Sequence, residues 1–173
     1  VHKNQPELVN RKAQELVRIA VGRVTVSQPV HKDRHNCRPN ALVIGGGVAG
    51  MTTALAIADS GYDVHLVERA EMLGGNLLSL FYVAEGFDPQ RLLRDLINRV
   101  RSHRRILVFT RTEVIQHSGH VGYFQSTLRS RNNGDTEDTA IEHGVTIVAT
   151  GARETHEHRW LDHSIVVTQH ELE

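Results

Sequence analysis

The chain has 173 residues, enough for the core of one domain, and its 20 Lys and Arg balance its 20 Asp and Glu. Zero formal charge argues against nucleic acid or an anionic membrane as the main partner, and no apolar run reaches the roughly 20 residues that a membrane span needs. The single cysteine, Cys37, excludes a disulfide framework, a CxxC redox pair and a cysteine-held iron–sulfur cluster within these residues.

No signal-peptide pattern opens the sequence, so the expected location is the cytoplasm. The chain starts at Val1 and stops at Glu173, which suggests a piece of something longer. The expected division is an N-terminal helix and linker over 1–40 and a nucleotide-binding domain over 41–173.

Residues 7–24 place Leu8, Val9, Ala13, Leu16, Val17, Ala20 and Val21 at helical spacing, which predicts an amphipathic helix. Residues 27–40 hold two prolines and many polar groups and read as a linker. Ala41 to Ile44 is short, apolar and followed by glycine, as a buried parallel strand would be. Val48 to Ser60 reads as a helix slimmed by Ala49, Ala54 and Ala58, with Gly61 as its C-terminal cap. Asp63 to Glu68 is a second strand. Asp88 opens a helix with Pro89 at its first position and Leu92, Leu93, Leu96, Ile97 and Val100 on one face.

Ile106 to Phe109 predicts a third strand. Beyond it come short strand-like runs at 112–119, 121–130 and 141–150, broken by glycine and by the polar stretch 131–138. They predict antiparallel hairpins. The tail at 152–163 is polar, and 164–168 predicts one last short strand. Together the elements predict an α/β fold: a Rossmann-like three-layer domain with a mostly parallel sheet, a small antiparallel β-meander and an N-terminal helix.

The segment VIGGGVAGM supplies the chemistry. Gly45, Gly47 and Gly50 occupy the G-x-G-x-x-G positions between a strand and a helix. Gly45 permits the tight turn, Gly47 lets a pyrophosphate approach the backbone, and Gly50 lets helix and strand press together. The helix start at Val48 and Ala49 then offers free N–H groups and a positive dipole end to phosphate. Glu68 lies 23 residues after Gly45, at the end of the second strand. A carboxylate there can accept from both ribose hydroxyls of an adenosine and would repel a 2′-phosphate, which disfavours NADP.

ERAEMLGGN, residues 68–76, continues past that acid into a glycine pair, Gly74 and Gly75, with Asn76 just beyond. IVATGA, residues 147–152, ends an apolar strand in Ala149, Thr150 and Gly151. Both features match the FAD domain of flavoproteins with two dinucleotide-binding domains, in which the meander precedes the Ala-Thr-Gly turn. The candidate cofactor-binding residues are therefore Gly45, Gly47, Val48, Ala49, Gly50, Glu68, Arg69, Gly74, Gly75, Asn76, Ala149, Thr150 and Gly151. Arg69 can reach the adenine side or stay solvated, and Asn76 can reach the cofactor or only serve a turn.

Whole segments carry a closer resemblance. Residues 41–77, then DPQRLLRDLINRV, GHVGYF, IEHGVTIVATGA and VVTQHELE, resemble the A-subunit family of heterodisulfide reductases, and the N-terminal helix resembles the segment before the flavin domain there. The resemblance covers nearly the whole chain. It implies an FAD-dependent oxidoreductase of anaerobic, typically methanogenic metabolism, passing electrons between a hydrogenase-type donor, ferredoxin and a disulfide. The implied partners are the sister subunits of heterodisulfide reductase and a hydrogenase-type partner. Iron–sulfur clusters are implied for the full-length family only. The later flavin-closing portion of such domains is absent from these residues, so the fragment alone is expected to be inactive.

Two other readings stay open. The chain could be a non-catalytic scaffold that docks partner subunits, or part of an NAD(P)H-dependent flavoprotein disulfide reductase, against which the missing CxxC argues. His31, His35 and Cys37 in the linker, and His156, His158 and His163 in the tail, do not bring four ligands onto regular structure, so no metal site is expected. Cys37 beside Arg38 reads as an incidental linker thiol, and no Ser-His-Asp arrangement or catalytic carboxylate pair appears.

Overall fold

The computed structural model describes residues 6–28, 36–84, 86–132 and 135–152. The tail from 153 onward, with the strand expected at 164–168, lies outside the described residues, as do His31 and His35. The chain divides into two compact units, 1–34 and 35–173. The first holds helix α1, Pro6–Thr25, with an acidic first turn and a basic last turn that suit the helix dipole. The helix ends where Thr25 Oγ1 and Ser27 Oγ donate to the carbonyls of Gly22 and Arg23.

The second unit is built in three layers. Its centre is a parallel sheet in the order β3-β2-β1-β7, from Ile106–Phe109, Asp63–Val67, Asn40–Ile44 and Val145–Val148. Strand β1 pairs with β2 on one side and β7 on the other, so Ala41, Leu42 and Val43 are buried on both faces. That explains its uninterrupted apolar run.

Helices α2 (Val48–Asp59) and α3 (Pro89–Ser102) cover one face. Met51, Ala54, Leu55 and Ala58 of α2 and Leu93, Leu96 and Val100 of α3 meet Ala41, Val43, Val64 and Leu66 there. Asp88 caps α3 by accepting from the N–H groups of Gln90 and Arg91 at 2.9 and 3.0 Å, with Pro89 following. Gly61 has φ +94 just past α2, a left-handed position that glycine takes without strain. Leu92, expected on the apolar stripe, is exposed instead. Ala49 is also exposed, so of the three alanines only Ala54 and Ala58 thin the packed face of α2.

The other face carries the antiparallel meander β4-β5-β6, Thr112–His120, Tyr123–Asn132 and Asp135–His143. Leu128, Val114 and Ile141 pack there on Leu42, Ile44, Val67 and Phe109. Two sequence expectations change. The strands part within the polar stretch 131–138 as expected, but most of it is strand, because β5 runs to Asn132 and β6 begins at Asp135. Cross-strand pairing explains it: Arg129 lies opposite Asp138 and donates to both carboxylate oxygens at 2.8 Å. The run 141–150 is not one strand. Gly144 divides it between β6 of the meander and β7 of the parallel sheet, and a Cβ at Gly144 would lie 2.0 Å from the Arg38 carbonyl oxygen.

Candidate functional site

The glycine turn joins the carboxyl end of β1 to the start of α2, and each glycine in it meets a different neighbour. Gly45 has φ +112, and a Cβ there would sit 2.3 Å from the Ala149 carbonyl oxygen. A Cβ at Gly50 would be 1.8 Å from the Gly45 carbonyl oxygen, so helix and turn touch backbone to backbone. Gly47 differs, because the nearest atom to its Cβ direction is Gly75 Cα at 4.0 Å. Space is therefore open at Gly47, the position at which the sequence leads one to expect a diphosphate.

Gly47 also caps α2 without a side chain, no acidic residue occupies the first turn, and the first helical N–H bond runs from Met51 to Gly47 at 2.9 Å. The N–H groups of Val48, Ala49 and Gly50 consequently have no acceptor within the helix. The second glycine segment lies alongside. Gly47 and Gly74 form a bridge, and Gly74 N–H donates to the Gly46 carbonyl at 2.8 Å. Gly74 has φ +136 and Gly75 φ +55, and a Cβ at Gly75 would reach within 3.1 Å of Gly47 Cα.

Glu68 leaves the end of β2 and folds over the turn. Its Oε2 accepts from Gly46 N–H at 2.6 Å and its Oε1 from Ala70 N–H at 2.8 Å. Each oxygen keeps a further lone pair for an external donor. The backbone of Glu68 is pinned as well, donating to the Phe109 carbonyl at 2.8 Å and accepting from Thr112 N–H at 3.0 Å.

From the far side β7 delivers Ala149, whose N–H donates to the Ile44 carbonyl at 2.8 Å, followed by Thr150 against Gly45. Asn76 Nδ2 reaches the Ala152 carbonyl at 3.4 Å, a long contact that ties the two approach segments. The structure thus gathers Gly45, Gly47, Val48, Ala49, Gly50, Glu68, Gly74, Gly75, Ala149 and Thr150 around one turn. Arg69 is exposed beside it, and Gly151, with φ +71, has no neighbour within 4 Å of its Cβ direction among the described residues.

Three contributors escape the sequence reading. Gly46 is an x of the motif, yet a Cβ there would lie 2.4 Å from Leu73 Cδ2 and 3.1 Å from Glu68 Oε2. Leu73 is fully buried under the turn. Gln90 donates from Nε2 to the carbonyls of Leu77 and Leu80 at 2.9 and 2.8 Å, holding the 3₁₀ turn Gly75–Ser79. The third consecutive glycine is the one available sequence signal for Gly46; nothing in the sequence marks Leu73 or Gln90. Among the described residues, no group of three or more His, Cys, Asp and Glu side chains is arranged to hold a metal ion, and no helix is long and apolar enough to cross a membrane.

Comparison with known proteins agrees with this architecture. The family model for pyridine nucleotide-disulphide oxidoreductases matches residues 39–158. The iron–sulfur A subunit of a CoB–CoM heterodisulfide reductase from Methanopyrus kandleri is 33% identical over 146 residues, 84% of this chain and 22% of that protein. The A subunit of a ferredoxin:CoB–CoM heterodisulfide reductase from Methanosarcina acetivorans is 36% identical over 128 residues, 69% of this chain and 16% of its own length. The chain therefore spans about a fifth of the length of these relatives.

Among solved structures, the L-proline dehydrogenase of P. horikoshii aligns with a TM-score of 0.57 at 21% identity, covering 71% of this chain and 25% of that one. The p-nitrophenol 4-monooxygenase of Pseudomonas putida aligns at 0.51 and 12% identity, covering 66% and 41%. These two share the fold. With the family model covering the parallel sheet, both sheet helices and the meander, the chain belongs to the pyridine nucleotide-disulphide oxidoreductase family.

Proposed function

We propose that this chain supplies the ADP-holding half of an FAD site in an oxidoreductase of the heterodisulfide reductase A-subunit type. One observation carries the reading: the Glu68 carboxylate is fixed across the Gly46 N–H, beside a helix start left open at Gly47. The donor set suits the ligand. Backbone N–H groups of Val48, Ala49 and Gly50 would hold the diphosphate, aided by the positive end of the α2 dipole. Glu68 would accept from the ribose hydroxyls and exclude a 2′-phosphate by like-charge repulsion. Gly74 and Gly75 would let the chain pass close, Asn76 would steady the approach, and Ala149, Thr150 and Gly151 would close the opposite wall. Arg69 would lie toward the adenine.

Bound FAD would supply the electron-transfer chemistry, with the protein supplying orientation and charge. The resemblance extends the proposal to electron transfer or bifurcation between a hydrogenase-type donor, ferredoxin and a disulfide, with sister subunits as partners in the cytoplasm. Iron–sulfur clusters would lie elsewhere in a longer polypeptide.

Calorimetry with ADP, FAD and NADP tests the site. ADP and FAD should bind and NADP should not. Glu68→Ala should weaken ADP by about 1–3 kcal/mol, the value of hydrogen bonds to a charged acceptor. An unchanged binding constant removes Glu68 from the site. Absence of binding to both ADP and FAD returns the chain to the scaffold reading.

A further inference from the structure

Between the meander and the parallel sheet lies a hydrogen-bonded chain that the nucleotide site does not use. His143, at the end of β6, is fully buried, and Ser126 of β5 is 1% exposed. His143 Nδ1 lies 3.1 Å from the Val145 carbonyl oxygen, and its Nε2 lies 2.8 Å from Ser126 Oγ. Ser126 Oγ lies 2.8 Å from Nδ1 of His117 on β4, an exposed residue. Phe124 stacks on both rings, with centroids 4.8 Å from His117 and 5.7 Å from His143.

The geometry assigns the hydrogens. A carbonyl only accepts, so Nδ1 of His143 carries the hydrogen and neutral Nε2 is bare. Ser126 must then donate its one hydrogen to Nε2, which leaves its oxygen to accept from Nδ1–H of His117. One proton added at either imidazole keeps every bond. On His117 it lands on the outer nitrogen and changes nothing. On His143 it reverses the Ser126 hydroxyl, which then donates to His117 Nδ1 as that ring changes tautomer. Two protons cannot be accommodated. Both rings would present N–H to Ser126, and among the described residues the acceptors for its buried hydroxyl hydrogen are those same two nitrogens. Two cationic rings would also stand 5.7 Å apart.

We propose that His117, Ser126 and His143 form an acid-sensitive latch that ties the three strands of the meander together through their side chains and releases when both imidazoles are protonated. The bonds lost on release are those at Ser126, between β4, β5 and β6, while the His143 Nδ1 bond to the Val145 carbonyl persists.

Among the described residues, neither imidazole is ion-paired to a carboxylate; a histidine that is, His103, pairs with Asp59 elsewhere. From β2 the nearby titratable group is His65, a further potential cation. Strands β5 and β7 present Phe124, Ser126 and Thr146, the last with Oγ1 3.4 Å from His143 Nδ1. From β1 comes Asn40, whose amide donates to the Glu142 carbonyl. On its own strand, the Glu142 carboxylate turns away to Arg38 and to the Tyr123 hydroxyl. Burial holds His143 below the ordinary histidine value, against the opposing Val145 bond.

Amide hydrogen exchange, corrected for intrinsic rates, tests the latch between about pH 7.5 and pH 5, the range in which histidine titrates. In the wild type, amides of β4, β5 and β6 should lose protection at the acid end by about tenfold or more beyond any loss shared with α2, the effect of one unsatisfied buried group. His117→Gln can still bond Ser126 but never ionises, so it should abolish the meander's excess over α2. An equal excess in this variant, or none in the wild type, overturns the proposal. Long-range nitrogen-15 spectra of the wild type give an independent check. At neutral pH His143 should show Nδ1–H and a bare Nε2, and the opposite tautomer overturns the chain of donors.

Discussion

Two glycines of one motif should fail in opposite ways. Gly47→Ala places a methyl group in space whose nearest neighbour is Gly75 Cα at 4.0 Å, an ordinary contact. The backbone there, φ −74 and ψ −175, accepts any residue. An alanine N-cap is poorer than glycine by about 0.5–1 kcal/mol, and the loss of unfolded-state freedom offsets this by about 0.4–1 kcal/mol. Stability should change by less than about 0.5 kcal/mol. The methyl should, however, fill the proposed diphosphate approach and prevent contact with the helix N–H groups. Losing one or two hydrogen bonds to a charged group costs about 2–4 kcal/mol, a weakening of thirtyfold or more.

Gly50→Ala meets the Gly45 carbonyl oxygen at 1.8 Å and its carbon at 2.9 Å. Neither can move without shifting α2 off Ala41 and Val43, so the loss should exceed about 3 kcal/mol, the upper end of overpacking. Urea titrations give the stabilities and calorimetry with ADP the affinities. A Gly47→Ala protein that binds ADP as tightly as wild type, or that unfolds like Gly50→Ala, refutes the argument that open space at Gly47 belongs to a ligand.

Other perturbations test the support beneath that turn and packing elsewhere in the second unit. Leu73→Ala removes a fully buried side chain beneath Gly46 and should cost about 2–5 kcal/mol in chemical denaturation, whereas a loss under 1 kcal/mol would show the turn rests elsewhere. Gly122 has φ +95, and a Cβ there would meet Cys37 Sγ at 2.8 Å, so Gly122→Ala should lower stability by about 1–2 kcal/mol; an unchanged melting temperature contradicts this. Burial lowers the values of both His65 and His143, the nearby Asp63 opposing at His65. Each then binds its proton more weakly folded than unfolded. Stability should hold above the ordinary histidine value and fall as pH drops below it, and a urea midpoint that stays flat across that interval would show neither group is linked to folding.

How much of this was readable in advance depended on distance along the chain. The strand, glycine turn and helix of residues 41–61 are contiguous, and each step has its own local signal: an apolar run, missing side chains, then small residues at helical spacing. The α3 stripe was legible for the same reason, with Leu92 the exception because a helix touching one sheet face buries a narrower arc than five apolar residues span. Its neighbours Leu93, Leu96 and Val100 fill that arc and Leu92 falls outside it.

The failures involve partners far apart in sequence. Residues 131–138 look like a loop because alternation on an exposed hairpin has no apolar member to reveal it; Asp138 makes sense as a strand residue only opposite Arg129. Gly46 carries no weight in a template that counts glycines by spacing, because Leu73 and Glu68 arrive at it from other segments. The His117, Ser126 and His143 chain shows the same principle at its limit. Each residue is unremarkable in its own strand, and register alone sets Ser126 opposite His117 and Phe124 opposite His143. A glycine turn shapes itself, so its sequence announces it. A polar chain between strands exists only through pairing, and the donor and acceptor rules of Ser126 become decisive only after the strands have met.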